Sequence, residues 1–157
     1  MNEALLEVKD LTVKYVTDLE TVHAVNRISF SLGRGQTIGL VGETGAGKTT
    51  TALSIMRLLP ERTGKVTGGE IRFAGQDLLA MPEHEMQAIR GEKIAMIFQD
   101  PMTSLNPVMT VGDQIAEALD LHNDQGRSRE QIQERVDEVL SMVGIPPQRK
   151  SEYPHQF

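Results

Sequence analysis

The 157-residue sequence contains no cysteine, which excludes disulfide bonds and a thiolate zinc site as sources of stability. It also lacks any apolar run of the ~18 residues that a membrane-spanning helix needs. The first seven residues lack the basic segment and the long apolar core of a secretory signal. Together these absences predict a soluble intracellular protein.

Positive charge is scarce as well. The chain has 16 lysines and arginines against 22 aspartates and glutamates, a formal net charge of −6. Because a broad nucleic-acid surface needs clustered basic residues, this balance predicts no nucleic-acid partner. The length suits one domain, which would bury about 68–70% of its unfolded surface if it closed into one body.

The most informative segment present is a complete G-x-x-x-x-G-K-[ST] motif. Its residues are Gly42, Glu43, Thr44, Gly45, Ala46, Gly47, Lys48 and Thr49. Glycines let the backbone curl so that successive N–H groups meet a triphosphate, and a following helix adds its positive dipole end. In such a loop Lys48 reaches the β- and γ-phosphates and Thr49 offers its hydroxyl to Mg²⁺. The motif predicts a site for ATP or ADP with Mg²⁺, and we add Thr50 to it; a plain glycine-rich turn is the alternative.

Strand patterns surround this loop. Apolar and polar side chains alternate in residues 5–8 with 11–15, and again in residues 24–30. This pattern predicts two antiparallel strands joined by a polar stretch around residues 18–21. Residues 37–41 predict the strand that enters the loop, and residues 68–73 predict another. Residues 94–98 are apolar on both faces, which is typical of a central strand in a covered parallel sheet. The end of that strand should lie beside the ligand.

Helical patterns fill the rest. After the loop, apolar residues recur at helical spacing until Pro60, namely Ala52, Ile55, Met56 and Leu59. Pro82 suits the first residue of a short helix through Ile89. Two apolar stripes predict two later helices, one with Val111, Ile115, Ala118 and Leu119, the other with Ile132, Val136, Val139, Leu140 and Val143. Ser128 and Gln131 predict a capping box, Gly144 ends the second helix, and residues 122–127 form a polar connection.

Three segments together carry a family resemblance. They are Gly42 to Thr49, the run Ile97-Phe-Gln-Asp-Pro-Met-Thr-Ser-Leu-Asn-Pro107, and Tyr153-Pro-His-Gln-Phe157. The phosphate loop alone is shared with kinases, GTPases and helicases, whereas the second segment is much more specific. The chain closely resembles the nucleotide-binding subunit of an ATP-binding-cassette (ABC) importer, in the branch that takes up dipeptides, oligopeptides or nickel.

The resemblance implies roles for further residues. Gln99 corresponds to a glutamine that binds Mg²⁺ or water through its amide oxygen. Tyr15 corresponds to the aromatic residue that stacks on adenine. The segment Asp100 to Pro107 lines a groove for a cytoplasmic helix of the permease. Each assignment has an ordinary alternative. Gln99 could be a polar residue at a strand end, Tyr15 a half-buried packing residue in a strand, and Asp100 to Pro107 a proline-bounded loop. The expected cofactor-binding set is thus Tyr15, the loop, Thr50 and Gln99, with Thr49 and Gln99 at the metal.

In the family, three further motifs follow the position that corresponds to Phe157, and this sequence contains none of them. These are a Ser-Gly-Gly signature, an apolar strand ending in Asp-Glu and a later switch histidine. The resemblance therefore implies a nucleotide-binding fragment without a complete catalytic set, expected to hydrolyse little or no ATP by itself. In complete form it would couple ATP hydrolysis to solute uptake. Two alternatives stay open: a non-catalytic module that binds the permease, and a soluble P-loop kinase or GTPase.

The expected fold is an incomplete α/β P-loop domain with an antiparallel β portion, part of the core sheet and the start of the helical subdomain. Residues 1–99 would form the β portion and the phosphate-loop core, and residues 100–157 the glutamine loop and the partial helical subdomain. The strand of residues 94–98 would have an exposed apolar edge, which would favour self-association. Expected partners are permease subunits, a second ATP-binding subunit and, indirectly, an extracytoplasmic solute-binding protein, at the cytoplasmic face of the cell membrane.

Overall fold

The computed structural model describes residues 4–123 and 126–157, which divide into two compact units, Met1–Gln87 and Ala88–Phe157. The predicted connection at residues 122–127 includes positions 124 and 125, which lie outside the described residues. Within the described ranges, no helix combines the length and apolar character of a membrane span.

The first unit is built on a four-stranded antiparallel sheet. Its strands are β1 (Ala4–Val16), β2 (Thr21–Gly33), β3 (Gly64–Phe73) and β4 (Gln76–Asp77), in the order β2-β1-β3-β4. The predicted hairpin is confirmed: β1 and β2 pair around a turn in which the Thr17 N–H and hydroxyl both donate to the Glu20 carbonyl. One face of the sheet forms the core, with Val8, Leu11, Val13, Val25 and Ile71 buried.

Helix α1 (Lys48–Ile55) follows the phosphate loop at once, as predicted, but it ends four residues earlier than Leu59. Its end is set by Arg57, which adopts a left-handed φ of 53° and lets the Leu58 N–H bond to the Leu53 carbonyl. The Arg57 guanidinium donates to the carbonyls of Leu78 and Met81. It also lies 3.4 Å from the Glu83 carboxylate. These tertiary contacts, rather than Pro60, end the helix.

Helix α2 (Glu83–Ile89) spans the division between the units. The N–H groups of Glu85 and Met86 donate to the carbonyl of Pro82. Pro82 thus lies immediately before the helix, one residue from its predicted place. Met86 is fully buried, which fixes the side of α2 that faces the core.

Two predicted strands do not form. Residues 37–41 and 95–98 carry no strand, and Ile94 makes only a single bridge, to Arg90. Their apolar side chains are largely exposed, with Val41 98% and Ile97 88% accessible. A strand is held by hydrogen bonds to a neighbouring strand, and no other segment of the described chain pairs with these residues. The antiparallel portion of the predicted fold is present, whereas these core-sheet segments are irregular.

The second unit contains α3 (Val111–Leu121) and α4 (Arg129–Met142), with short 3₁₀ helices at Pro101–Ser104, Pro147–Ser151 and Pro154–Gln156. Both long helices were predicted. Ile132, Val136 and Leu140 of α4 are buried, but Val143 is 68% exposed, so the buried stripe ends before Val143. In α3 the buried residue is Gly112, which packs against the Lys150 backbone; Val111, Ile115 and Leu119 are half-buried and Ala118 is exposed.

Candidate functional site

The glycine-rich loop curls through two residues in the left-handed conformation. Gly45 has φ 84° and Gly47 has φ 81°. Between them, the Ala46 N–H donates to the Glu43 carbonyl at 3.1 Å and closes a turn. L-residues with a Cβ rarely adopt such φ values, so the backbone shape depends on glycine at these places. The curl is the one that the sequence motif requires.

Gly47 has a second role, because it lies directly against β2. A Cβ at this position would collide with the Ala24 carbonyl oxygen and approach Val25 Cγ2 to 3.2 Å. At Gly45, by contrast, a Cβ would meet nothing within 4 Å. Gly47 therefore fixes the distance between the loop and the sheet, whereas Gly45 serves only the backbone conformation.

Lys48 folds back across the loop that precedes it. Its Nζ donates to the Gly42 carbonyl at 2.6 Å and to the Glu43 carbonyl at 2.7 Å. An ammonium group has three N–H donors, so these two bonds leave one for another acceptor. The positive charge is thereby held over the loop, where an anion bound to the loop amides would lie.

The N-terminus of α1 has no acidic or capping side chain of its own. Gly47 is the N-cap residue and makes no side-chain capping bond, and no acidic residue occupies the first turn. The first N–H groups of a helix carry partial positive charge and lack intrahelical partners. Thr49 lies exposed in the same turn. Loop amides, a lysine ammonium and an uncapped helix N-terminus are groups that can bind an anion.

The buried side of α1 consists of hydroxyl residues rather than the predicted apolar ones. Thr50, Thr51 and Ser54 are buried, the Thr51 hydroxyl donates to the Gly47 carbonyl at 2.8 Å, and Ser54 Oγ donates to the Thr50 carbonyl at 2.7 Å. Of the four predicted apolar positions, Met56 is buried and the other three are half-buried. The hydroxyls of Thr51 and Ser54 satisfy their hydrogen-bonding needs within the helix, so they can pack in the interior.

Tyr15 contacts the first turn of α1. Its hydroxyl lies 3.3 Å from Thr50 Oγ1, and either atom can donate the hydrogen bond. The structure thus brings together the predicted aromatic residue and the phosphate-loop helix within one unit. No sequence signal indicates this bond, since its partners are 35 residues apart.

Gln99 belongs to the second unit, whereas the other predicted site residues belong to the first. It is exposed and follows the irregular residues 95–98 rather than a strand. Its part in the site stays a prediction. Among the described residues, no group of three or more His, Cys, Asp or Glu could hold a metal ion. The donors present fit Mg²⁺ held through a threonine hydroxyl and the ligand's own phosphate oxygens, which is a common way for proteins to bind this ion.

The segment Asp100 to Pro107 is braced by a residue that the sequence did not single out. Gln114 of α3 accepts from the Asn106 N–H at 2.8 Å and donates to the Asn106 carbonyl at 3.0 Å. It also donates to the Met109 carbonyl at 3.2 Å. The apolar side chains of Met102, Leu105 and Val108 are exposed on or beside this braced segment.

The fold and the phosphate loop define a P-loop domain of the ATP-binding-cassette type. The chain belongs to the ABC transporter family, whose model matches residues 25–157. It is 48% identical to the dipeptide transport ATP-binding protein DppD of Bacillus subtilis, over 99% of this chain and 46% of that protein. It is also 48% identical to the oligopeptide transport ATP-binding protein OppD of Escherichia coli, over 99% of this chain and 45% of that protein. The chain thus spans about half the length of the curated relatives it matches.

Solved structures agree on the fold. A dimeric post-hydrolysis state of the ATP-binding cassette MJ0796, bound to ADP and Pi, superposes with a TM-score of 0.81 at 24% identity, over 97% of this chain and 62% of that one. The protein cbiO1 from Clostridium perfringens, part of a cbiONQ transporter complex, gives a TM-score of 0.70 at 23% identity, over 99% of this chain and 56% of that one. These structures confirm the predicted fold class, and the match of the family model confirms the predicted family.

Proposed function

We propose that this chain is the nucleotide-binding part of the ATP-binding subunit of a peptide ABC importer. The observation that carries the proposal is a loop curled at Gly45 and Gly47, crossed by the Lys48 ammonium and ending at a helix N-terminus without a side-chain cap. This combination of backbone donors and one positive charge suits a polyphosphate.

Within this proposal each part of the ligand has a partner. The loop amides and Lys48 bind the phosphates of ATP or ADP, and Tyr15 stacks on the adenine ring. The hydroxyl of Thr49 would hold Mg²⁺, and from the family resemblance alone the amide oxygen of Gln99 is proposed as a further ligand. When bound, the ion would neutralise charge on the phosphate oxygens. The remaining loop residues, Glu43, Thr44 and Ala46, contribute backbone groups to the same cradle.

The peptide substrate and the partners are inferred from the relatives. Proteins 47–48% identical to nearly all of this chain are named for peptide, dipeptide and oligopeptide transport, which supports a peptide importer. We propose that the braced segment Asp100 to Pro107, with exposed Met102 and Leu105, contacts a membrane permease. A second ATP-binding subunit and an extracytoplasmic solute-binding protein complete the assembly. The chain would then act at the cytoplasmic face of the membrane.

Nucleotide binding is testable with a matched pair of lysine variants. Lys48 and Lys65 both donate from Nζ to backbone carbonyls, but Lys65 bonds the Glu61 carbonyl at 2.9 Å and lies outside the loop. Mg-ATP at ~100 times its dissociation constant should stabilise the wild type by about 2.7 kcal/mol. Lys48→Ala should lose most of this gain, while Lys65→Ala should retain it.

The measurement is urea denaturation with and without Mg-ATP, accompanied by calorimetric titration. The proposal is contradicted if Mg-ATP has no effect on the wild type. It is equally contradicted if Lys48→Ala responds as strongly as the wild type does, because the loop would then not be the binding site.

A further inference from the structure

We propose that Arg57 couples nucleotide binding at the phosphate loop to α2, the helix through which the chain passes into its second unit. Arg57 lies two residues beyond the end of α1, and its guanidinium contacts three acceptors in residues 78–83, just before and at the start of α2. The inference rests on the proposed nucleotide-binding function. It adds a residue outside the loop through which the bound nucleotide would restrain another part of the chain.

Arginine is an uncommon residue for the backbone conformation at this position. Its φ of 53° lies in the left-handed region, where a helix usually ends with glycine because glycine has no Cβ to collide. A residue with a side chain keeps this conformation only where the surrounding structure holds it. Glycine would end α1 with less strain, so the side chain of Arg57 has a role of its own.

The side chain of Arg57 serves backbone groups in a buried part of the chain. Its Nη1 donates to the Leu78 carbonyl at 3.2 Å and to the Met81 carbonyl. Leu78 is fully buried and Met81 is 8% exposed, so these carbonyl oxygens have little access to water. Its Nη2 also lies 3.4 Å from the carboxylate of Glu83, the first residue of α2. Hydrogen bonds from a charged donor are stronger than neutral ones, so these contacts tie the two segments firmly.

Helix α1 joins the phosphate loop to Arg57 as one short element. It has eight residues and begins directly at the loop. Its far end is closed by a bond from the Arg57 N–H to the Ser54 carbonyl at 3.1 Å and by one from the Leu58 N–H to the Leu53 carbonyl at 2.8 Å. Coupling between sites passes through rigid elements and the hydrogen bonds that join them. A ligand held at the first turn of α1 is therefore connected to the guanidinium beyond its last turn.

The first turn of α2 contains amides that report on this connection. The N–H groups of Glu85 and Met86 both donate to the Pro82 carbonyl. Such bonds break when a segment opens locally, and the amide hydrogens then exchange with water. A ligand that binds the closed form better than the open form lowers the population of the open form. Because opening of α2 releases Arg57 and loosens the end of α1, Mg-ATP should slow exchange at these two amides.

Hydrogen exchange followed by NMR measures the effect at each amide. Mg-ATP is added at ~100 times the dissociation constant of each variant, measured by calorimetry, which limits any slowing to about 100-fold. Couplings between sites typically correspond to about 5–150-fold, so exchange at Glu85 and Met86 should slow by about 5- to 100-fold. The Thr51 N–H, which donates to the Gly47 carbonyl at 2.8 Å, reports on α1 and should slow as well.

Arg57→Gly separates the backbone from the side chain, because glycine suits the left-handed conformation but cannot contact residues 78–83. In this variant the slowing at α2 should fall to less than about twofold, below the usual range of coupling, while Thr51 stays protected. Arg72→Ala is the matched control, since Arg72 of the same unit contacts the Glu70 carboxylate. Arg57→Lys keeps the charge but loses the planar fork, so it should give an intermediate slowing and serves if Arg57→Gly does not fold.

The outcomes separate the proposed function from the coupling. If Mg-ATP slows no amide in the wild type, Thr51 included, the proposed function fails and the coupling falls with it. If Thr51 slows but Glu85 and Met86 do not, the nucleotide site stands and the coupling is overturned. Equal slowing at α2 in the wild type and in Arg57→Gly overturns it too, as does complete loss of ATP binding in Arg57→Gly. A slowing that Arg57→Gly abolishes and Arg72→Ala retains supports it.

Discussion

Helices α1 and α4 begin in opposite ways. At the start of α4 the Ser128 hydroxyl accepts the Gln131 N–H, and the Gln131 side chain accepts the Ser128 N–H, which completes a capping box. Glu130 adds a carboxylate in the first turn, and the pKa of this group lies below its ordinary value because its backbone N–H and the Ser128 hydroxyl bond to it. At the start of α1, Gly47 provides no side-chain cap and no acidic residue follows.

The N-terminus of α4 is capped by side chains of the protein, whereas that of α1 is left open and suits a ligand. The N-terminal N–H groups of α4 are served by the protein's own acceptors, and a carboxylate already complements the dipole. Those of α1 have no such acceptor, and a lysine is held over the same end. The interiors differ too, because α4 buries Ile132, Val136 and Leu140 while α1 buries hydroxyls.

The largest expected effect is at the start of α1. Gly47→Ala should destabilise the first unit by about 2–6 kcal/mol, the sum of left-handed strain and a collision with backbone. Gly45→Ala shares the strain but has open space, so it should cost only about 1–3 kcal/mol. Urea denaturation followed by Tyr15 fluorescence, in a Tyr153→Phe background, measures both. Equal losses would show that the approach of Gly47 to Ala24 is unimportant.

A slightly smaller effect tests the interior of α4. Leu140 is 2% exposed, and Leu140→Ala should cost about 2–5 kcal/mol because it removes buried methyl groups and leaves a cavity. Val143, in the same sequence stripe but 68% exposed, provides the control, and Val143→Ala should change stability by less than about 0.5 kcal/mol. Tyr153 fluorescence in a Tyr15→Phe background reports on this unit. Similar costs for the two variants would contradict the position at which the buried stripe ends.

The capping box of α4 gives an intermediate effect. Ser128→Ala should cost about 1 kcal/mol, since the Gln131 N–H loses its acceptor. The lowered Glu130 pKa stabilises the fold above the pH at which the unfolded carboxyl ionises, and this contribution is lost as pH falls through the folded pKa. Ser128→Ala should therefore raise the Glu130 pKa toward its ordinary value, which an NMR titration would follow. If Ser128→Ala lowers stability but leaves the Glu130 pKa unchanged, Ser128 does not interact with Glu130 in solution.

Much of this comparison was predictable from local sequence. The motif from Gly42 to Thr49 encodes its own backbone shape, because glycines stand where φ is positive or the chain approaches a neighbour. Ser128 and Gln131 encode a cap at a fixed spacing of three residues. The β1–β2 hairpin follows from alternating side chains separated by a short polar turn. In each case the interacting groups are close in sequence, so the pattern contains the whole interaction.

Interactions between distant residues were not predictable in this way. Residues 37–41 and 94–98 have the composition of strands, but a strand also requires a partner, which composition does not specify. The end of α1 depends on Arg57 reaching Leu78 and Met81, more than 20 residues away. The link between Tyr15 and Thr50 depends on how β1 packs against α1. The sequence predicted the candidate residues of the loop but not the hydrogen bond between Tyr15 and Thr50.

The smallest expected effect is at the hydroxyl interior of α1. Ser54 is fully buried, and Ser54→Ala removes its bond to the Thr50 carbonyl, a net loss of about 0.5–1.5 kcal/mol. Two effects oppose the loss: alanine favours the helix by up to about 0.7 kcal/mol, and a hydroxyl that bonds back to its own helix is itself slightly unfavourable. The change leaves no unsatisfied donor and only a small void. The net cost, measured by Tyr15 fluorescence in urea, should stay below about 1 kcal/mol, well under that of Leu140→Ala. A cost above about 2 kcal/mol would show that the hydroxyls hold α1 as firmly as apolar packing holds α4.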